Sequence, residues 1–251
     1  MRTLSRTLAL LLVLEAILVT VPFTILQSVF EFPDILRQPA DYALRLFVQH
    51  ESVIVPTYYV FLLSGLFAIP LTLVLVRFFA SNEAASKGNS ALLALGTATA
   101  VFQALGFSRW IFTVPMLAKA YFAPNATEAS KQSIALMYDT LNRYLGMTVG
   151  EHLGFIAMGV WTLVLAWQVG VAGIASRRFS SALAWIGYTT GALVIVSAGE
   201  HFGGSTAGVF AVLNIIANTV WTMWIVALAV VIVRIPAHST SAATRFAVPT
   251  M

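Results

Sequence analysis

The sequence predicts an all-α fold: a polytopic transmembrane helix bundle of about six spans, with two amphipathic helices at its outer interface. Three observations carry this expectation. Hydrophobic residues make up 59% of the chain and charged residues 10%, with a mean hydropathy of +0.87, whereas soluble domains carry roughly one-quarter charged residues. The apolar runs reach or exceed the ~20 residues that cross a hydrocarbon core. Lys and Arg, finally, collect in alternate segments between the runs, as the positive-inside rule requires.

The first run covers 7–30 and follows Arg2 and Arg6. It starts like a signal peptide but exceeds the apolar core of about 7 to 15 residues that a cleavable signal carries, so it reads as a retained span. Further spans are expected at about 52–79, 91–121, 147–167, 182–199 and 208–235, all within a single domain covering 1–251. No strand-like alternation competes with them.

With the N-terminus inside, Arg2, Arg6, Arg77, Lys87, Arg177, Arg178, Arg234 and Arg245 are cytoplasmic, and so are both termini. The outer segments hold Arg37, Arg45, Lys131 and Arg143, together with most of the acids: Glu31, Asp34, Asp41, Glu51, Glu128, Asp139, Glu151 and Glu200. Reversing the chain would place the larger share of bases outside, against the rule.

Two long outer connections carry helix signals. Pro39 can start a helix on which Ala40, Leu44, Phe47 and Val48 share a face. In the second connection Asn125 and Glu128 resemble a capping box. There Ile134, Met137, Leu141 and Leu145 form a stripe opposite Lys131, Gln132 and Asp139. Interfacial helices, lids over a cavity, and helices that merely order long loops all fit this pattern. Trp167 and Trp185 bracket an inner loop as interfacial anchors do.

The chain has no cysteine, which excludes disulfides, thiolate metal sites and thiol catalysis. Net charge is +4, but the bases are scattered rather than gathered in a stripe, so nucleic acid is not an expected partner. Three His/Glu neighbours, His50 with Glu51, Glu151 with His152, and Glu200 with His201, fall at outer ends of spans. Imidazole and carboxylate together suit divalent-metal binding or proton relay. Neighbours on a helix point about 100° apart, so one member of each pair can face a common site, and residues at solvated helix ends also serve simply to mark the interface.

Arg109 lies roughly 27 Å along its helix from Ala91, near the outer edge. It is expected to meet Glu151 or Glu200, or else to snorkel to lipid phosphates, while Pro115 bends or ends the helix just beyond it. Glu15 is deep in the first span, where a neutral or hydrogen-bonded carboxyl is favoured, with Asn214 and Asn218 as partners. Gly146, Gly150 and Gly154, and Gly187 with Gly191, repeat at four-residue spacing and point to close helix packing; neither series has phosphate-loop spacing.

Several segments together resemble a known family. They are Phe32-Pro33-Asp34-Ile35-Leu36 with Pro39, Leu105-Gly106-Phe107-Ser108-Arg109-Trp110 with Val114-Pro115, and Leu141-Asn142-Arg143-Tyr144. Gly150-Glu151-His152-Leu153-Gly154 and Trp161 complete the set. The chain resembles, over most of its length, the bacterial multi-pass membrane proteins of the domain of unknown function 4386 family. That resemblance implies the bacterial inner membrane and supplies no activity, ligand or cofactor. The family pattern has an acid near Glu200 followed by proline rather than histidine, so His201 departs from it.

The candidate pocket is therefore Arg109, Glu151, His152, Glu200 and His201, on a protein whose certain partner is the lipid bilayer. One reading is a non-enzymatic protein, either an accessory subunit or a binder of a small ligand or lipid headgroup. It would act alone, as a homo-oligomer or with another membrane protein. The alternative is a metal-dependent membrane enzyme using His152, His201, Glu151 and Glu200. A b-type haem protein, drawing on His50, His152 or His201, is a third. No cofactor is required by the sequence.

Overall fold

The computed structural model describes residues 2–202 and 207–234, with side chains described for 2–200 and 208–234. Six of its helical stretches are long and apolar enough to cross a membrane: Arg2–Phe30, Ala40–Phe79, Asn89–Tyr121, Glu128–Ala172, Arg177–Glu200 and Gly208–Val233. The expected end of the last span, residue 235, lies outside the described residues.

The α-helices of the described residues are α1 (Arg2–Phe30), α2 (Ala40–Phe79), a single turn α3 (Glu83–Ser86) and α4 (Asn89–Ser108). They continue as α5 (Val114–Tyr121), α6 (Glu128–Leu141), α7 (Gly154–Ala172), α8 (Arg177–Ser197) and α9 (Ala207–Val233). The six spanning helices close a ring: α1 packs on α2 and α9, α4 on α2 and α7, and α8 on α7 and α9. In lipid no hydrophobic force draws apolar helices together, so van der Waals fit and close backbone approach must do it. The glycines supply that approach. A Cβ on Gly159 or Gly191 would stand 2.8 Å from the other's carbonyl oxygen, which is how α7 and α8 meet. Interhelical bonds add register: Trp161 donates to Thr72 Oγ1 (3.1 Å), Trp221 to Thr162 Oγ1 (3.0 Å) and Trp224 to the Leu183 carbonyl (2.8 Å). Gly173, at φ 59, ends α7 in the left-handed conformation.

Two cores fill the bundle. The lower one gathers Leu12, Leu75, Phe79, Leu92, Leu165 and Trp224. The upper one gathers Phe30, Leu44, Phe47, Tyr58, Trp110 and Tyr138. "Upper" here means the end that carries α6 and the 31–39 connection.

Both amphipathic segments belong to the upper core; the first buries three of its four expected residues, and the second is rotated from the expected face. The first, the start of α2 before a break at His50 (φ −125, ψ 18), buries Ala40, Ala43, Leu44 and Phe47, while Val48 is exposed. The second, α6, buries Ile134 and Tyr138 and leaves Met137 50% exposed. The Tyr138 ring sets that rotation by packing edge-on against Trp110, with centroids 6.2 Å apart. The cap of α6 is Thr127, whose Oγ1 accepts from Ser130 N at 3.2 Å, rather than Asn125.

Two π-helical segments replace expected interruptions. Pro115 has no N–H for the carbonyl one turn below. The helix widens over Arg109–Thr113 and then runs on through α5 instead of ending. A second π segment, Asn142–Leu153, joins α6 to α7 without a loop. Thr148 there donates to the Arg143 carbonyl five residues back, at 2.9 Å.

Candidate functional site

Between the two cores the ring encloses a cavity of about 350 Å³, within the range of small-ligand sites. Helices α1, α2, α4, α7 and α9 and both π segments contribute to its wall. The wall runs from Gly96 to Gly106 on α4 and from Leu71 to Tyr58 on α2, about 15 to 20 Å along the helices. Most of it is apolar, with Phe23, Phe61, Phe107, Phe155 and Trp161 among its rings.

The upper end is polar. Arg109, on the π turn, is 4% exposed and lines the cavity. One terminal nitrogen donates to the Gly106 carbonyl, and the other to Asn142 Oδ1 at 3.2 Å. Asn142 in turn donates to the Leu36 carbonyl at 2.8 Å. The guanidinium therefore ties α4 to the second π segment and, through Asn142, to the 31–39 connection. A Cβ on Gly146 would collide with that guanidinium, so the glycine makes room for it. The guanidinium carbon also stands 5.1 Å from the centroid of Trp110, itself stacked on Tyr58 at 5.3 Å.

Three wall residues at this end carry a buried donor atom with no hydrogen-bond partner among the described residues: Arg109 Nε, Trp110 Nε1 and Tyr58 Oη. Leaving such a group unsatisfied costs about 1 to 3 kcal/mol. Three of them on one wall make a surface suited to an acceptor-rich group such as a carboxylate, a phosphate or a carbonyl.

Of the residues expected at the site, Arg109, Glu151 and Glu200 line this one cavity. The carboxylate of Glu200 is held by Arg37, which also bonds Asp34 Oδ1 at 3.0 Å. Arg109 interacts electrostatically with Glu151, one of the two carboxylates expected for it, and Glu151 also feels Arg37. His152 turns away and donates from Nδ1 to the Ala198 carbonyl at 2.9 Å. His201 lies in the 3₁₀ turn Ala198–Phe202, and its side chain is outside the described residues. His50 sits at the break in α2 and Glu51 is exposed. Among the described residues no three His, Cys, Asp or Glu side chains gather as a metal-ligand set.

Sequence reasoning missed Arg37, Tyr58, Trp110 and Asn142 as parts of this end. Asn142 and Trp110 stand inside the segments that resemble the family, and that was the available signal. At the lower end Glu15, Asn214 and Asn218 all contribute to the wall, close to the grouping expected for them. Asn218 donates to Asn214 Oδ1 at 2.5 Å, and Glu15 Oε2 has no hydrogen-bond partner among the described residues.

Fold and cavity together define a polytopic α-helical membrane protein with an internal, aromatic-walled chamber. The chain belongs to the family described as Domain of unknown function (DUF4386), which matches residues 7–229. Neither a curated protein nor a solved structure matches it.

Proposed function

We propose that the protein is a non-enzymatic binder of a small membrane-dissolved amphiphile. The acceptor-rich head of the ligand rests on Arg109, Trp110 and Tyr58, and its apolar body extends down the aromatic wall. The observation that carries this reading is that three residues on the wall of a cavity of about 350 Å³ hold buried donors with no partner among the described residues. Recognition fits this wall better than chemistry, because the hydroxyls of Ser64 and Thr99 bond carbonyls of their own helices, Phe61 at 2.7 Å and Leu95 at 2.9 Å. Neither is activated as a nucleophile by a neighbouring base. The family resemblance and the distribution of bases support placement in a bacterial inner membrane, both termini cytoplasmic and the Arg109 end outward.

Saturable binding of radiolabelled laurate to the full chain in zwitterionic nanodiscs tests the reading. Arg109→Gln should weaken binding by at least about tenfold, the scale of a hydrogen bond to a charged group. Tyr58→Phe removes a single donor and keeps the fold, so a severalfold loss is expected there. Absence of saturable binding, or indifference to both substitutions, would overturn the proposal.

A further inference from the structure

The lower end of the cavity carries a polar group of its own, a carboxyl, set apart from the unpartnered donors at the upper end. Glu15 is 5% exposed, forms part of the wall, and its Oε2 has no hydrogen-bond partner among the described residues. It lies fifteen residues before the end of α1 at Phe30, about 22 Å along the helix, within the apolar run of that span. Asn214 and Asn218 on α9 complete a polar patch in an otherwise apolar chamber. Interhelical glue is the ordinary use of such residues in lipid; here Glu15 Oε2 is left without a partner among the described residues beside a cavity.

Thr20 on α1 and Ile215, Thr219 and Met223 on α9 belong to the cavity wall and are also exposed, Met223 to 66%, so where α1 meets α9 the chamber is walled by accessible side chains rather than by buried ones.

We propose that Glu15, with Asn214 and Asn218, is a second subsite of the chamber. It takes a hydrogen-bond-donating group, a hydroxyl or an ammonium, at the far end of an amphiphile that arrives laterally between α1 and α9. This deepens the reading of the chamber as an amphiphile site, and rests on it. The ligand class it names is a chain with an acceptor head and a donor tail, polar at both ends and apolar between. No covalent step is involved.

The test compares two matched probes, laurate and ω-hydroxylaurate, which share head and chain and differ in a terminal hydroxyl. Equilibrium binding is measured on the full chain in zwitterionic nanodiscs. Wild type should prefer ω-hydroxylaurate by about tenfold, the scale of one hydrogen bond to a charged or strongly polar acceptor. Glu15→Leu should abolish the preference, while Glu15→Gln, which keeps an acceptor, should retain part of it. ω-Aminolaurate distinguishes the donor: a preference above the hydroxyl's assigns an ammonium, and one below it assigns a hydroxyl. Equal affinity of laurate and ω-hydroxylaurate for wild type, with both sensitive to Arg109→Gln, would overturn the second subsite and leave the amphiphile reading standing. Failure of both probes to bind wild type would overturn the two together.

Discussion

Gly106 of α4 and Gly150 of the second π segment touch backbone to backbone: a Cβ added to either would stand 2.7 or 2.8 Å from the Cα of the other. That distance is below any real Cβ contact, and neither partner is a flexible side-chain tip that could yield. The crossing brings Arg109, three residues beyond Gly106, alongside the residues that flank Gly150. Gly150→Ala should therefore force α4 and the π segment apart, at a cost of about 1 to 3 kcal/mol. A lowered thermal midpoint in detergent, larger than that of Gly208→Ala, whose added Cβ meets nothing within 4 Å, is the expected result. Equal midpoints would show that the crossing is looser than described.

Arg37 holds Glu200 across the upper end of the bundle, with side-chain exposures of 32% and 6%. Removing the base strands a buried carboxylate. Losing one partner of a fully buried pair costs about 3 to 5 kcal/mol and an exposed pair contributes about 0 to 1, so this one-third-exposed arginine belongs between them, at about 1 to 3 kcal/mol. Arg37→Ala should lower the thermal midpoint well beyond Lys131→Ala, which breaks the exposed pair with Glu128. Glu200→Gln in the same chain should restore part of the loss. Equal effects of the two alanine substitutions would place the Arg37 pair in solvent.

Asn142 accepts from Arg109 and donates to the Leu36 carbonyl, a bridge between residues 106 apart in sequence at its longer step. Asn142→Ala leaves both groups buried without a partner, a penalty of about 1 to 3 kcal/mol. Asn142→Leu, similar in volume, should not rescue it, because shape is not what is lost. Recovery of the wild-type midpoint by leucine would assign Asn142 a packing role.

The six spans were legible because hydropathy and length fix them almost alone, and the depth of Arg109 and Glu15 followed by counting residues along their runs. The π segments were not legible. Nothing in residue type separates an i→i+5 turn from an α turn, and Pro115 reads equally as a helix end. The face of α6 was misjudged because a tyrosine counts as an interfacial residue in a polarity pattern. The Tyr138 ring instead packs on Trp110, which no local pattern encodes. Arg37 was invisible as a site residue for the same reason: its partner Glu200 lies 163 positions away by number, and only the closed ring of helices brings them together.

The central claim is that the chamber, rather than the lipid-facing surface, holds an amphiphile with its head at Arg109. Laurate carrying a terminal diazirine, photolysed on the full chain in nanodiscs and mapped by peptide mass spectrometry, tests it most directly. The expected result is labelling at the lower wall, at Glu15, Met158 or Asn218, abolished by excess unlabelled laurate and reduced in Arg109→Gln. Labelling confined to outward residues such as Phe112 and Trp185, and indifferent to competitor, would contradict it.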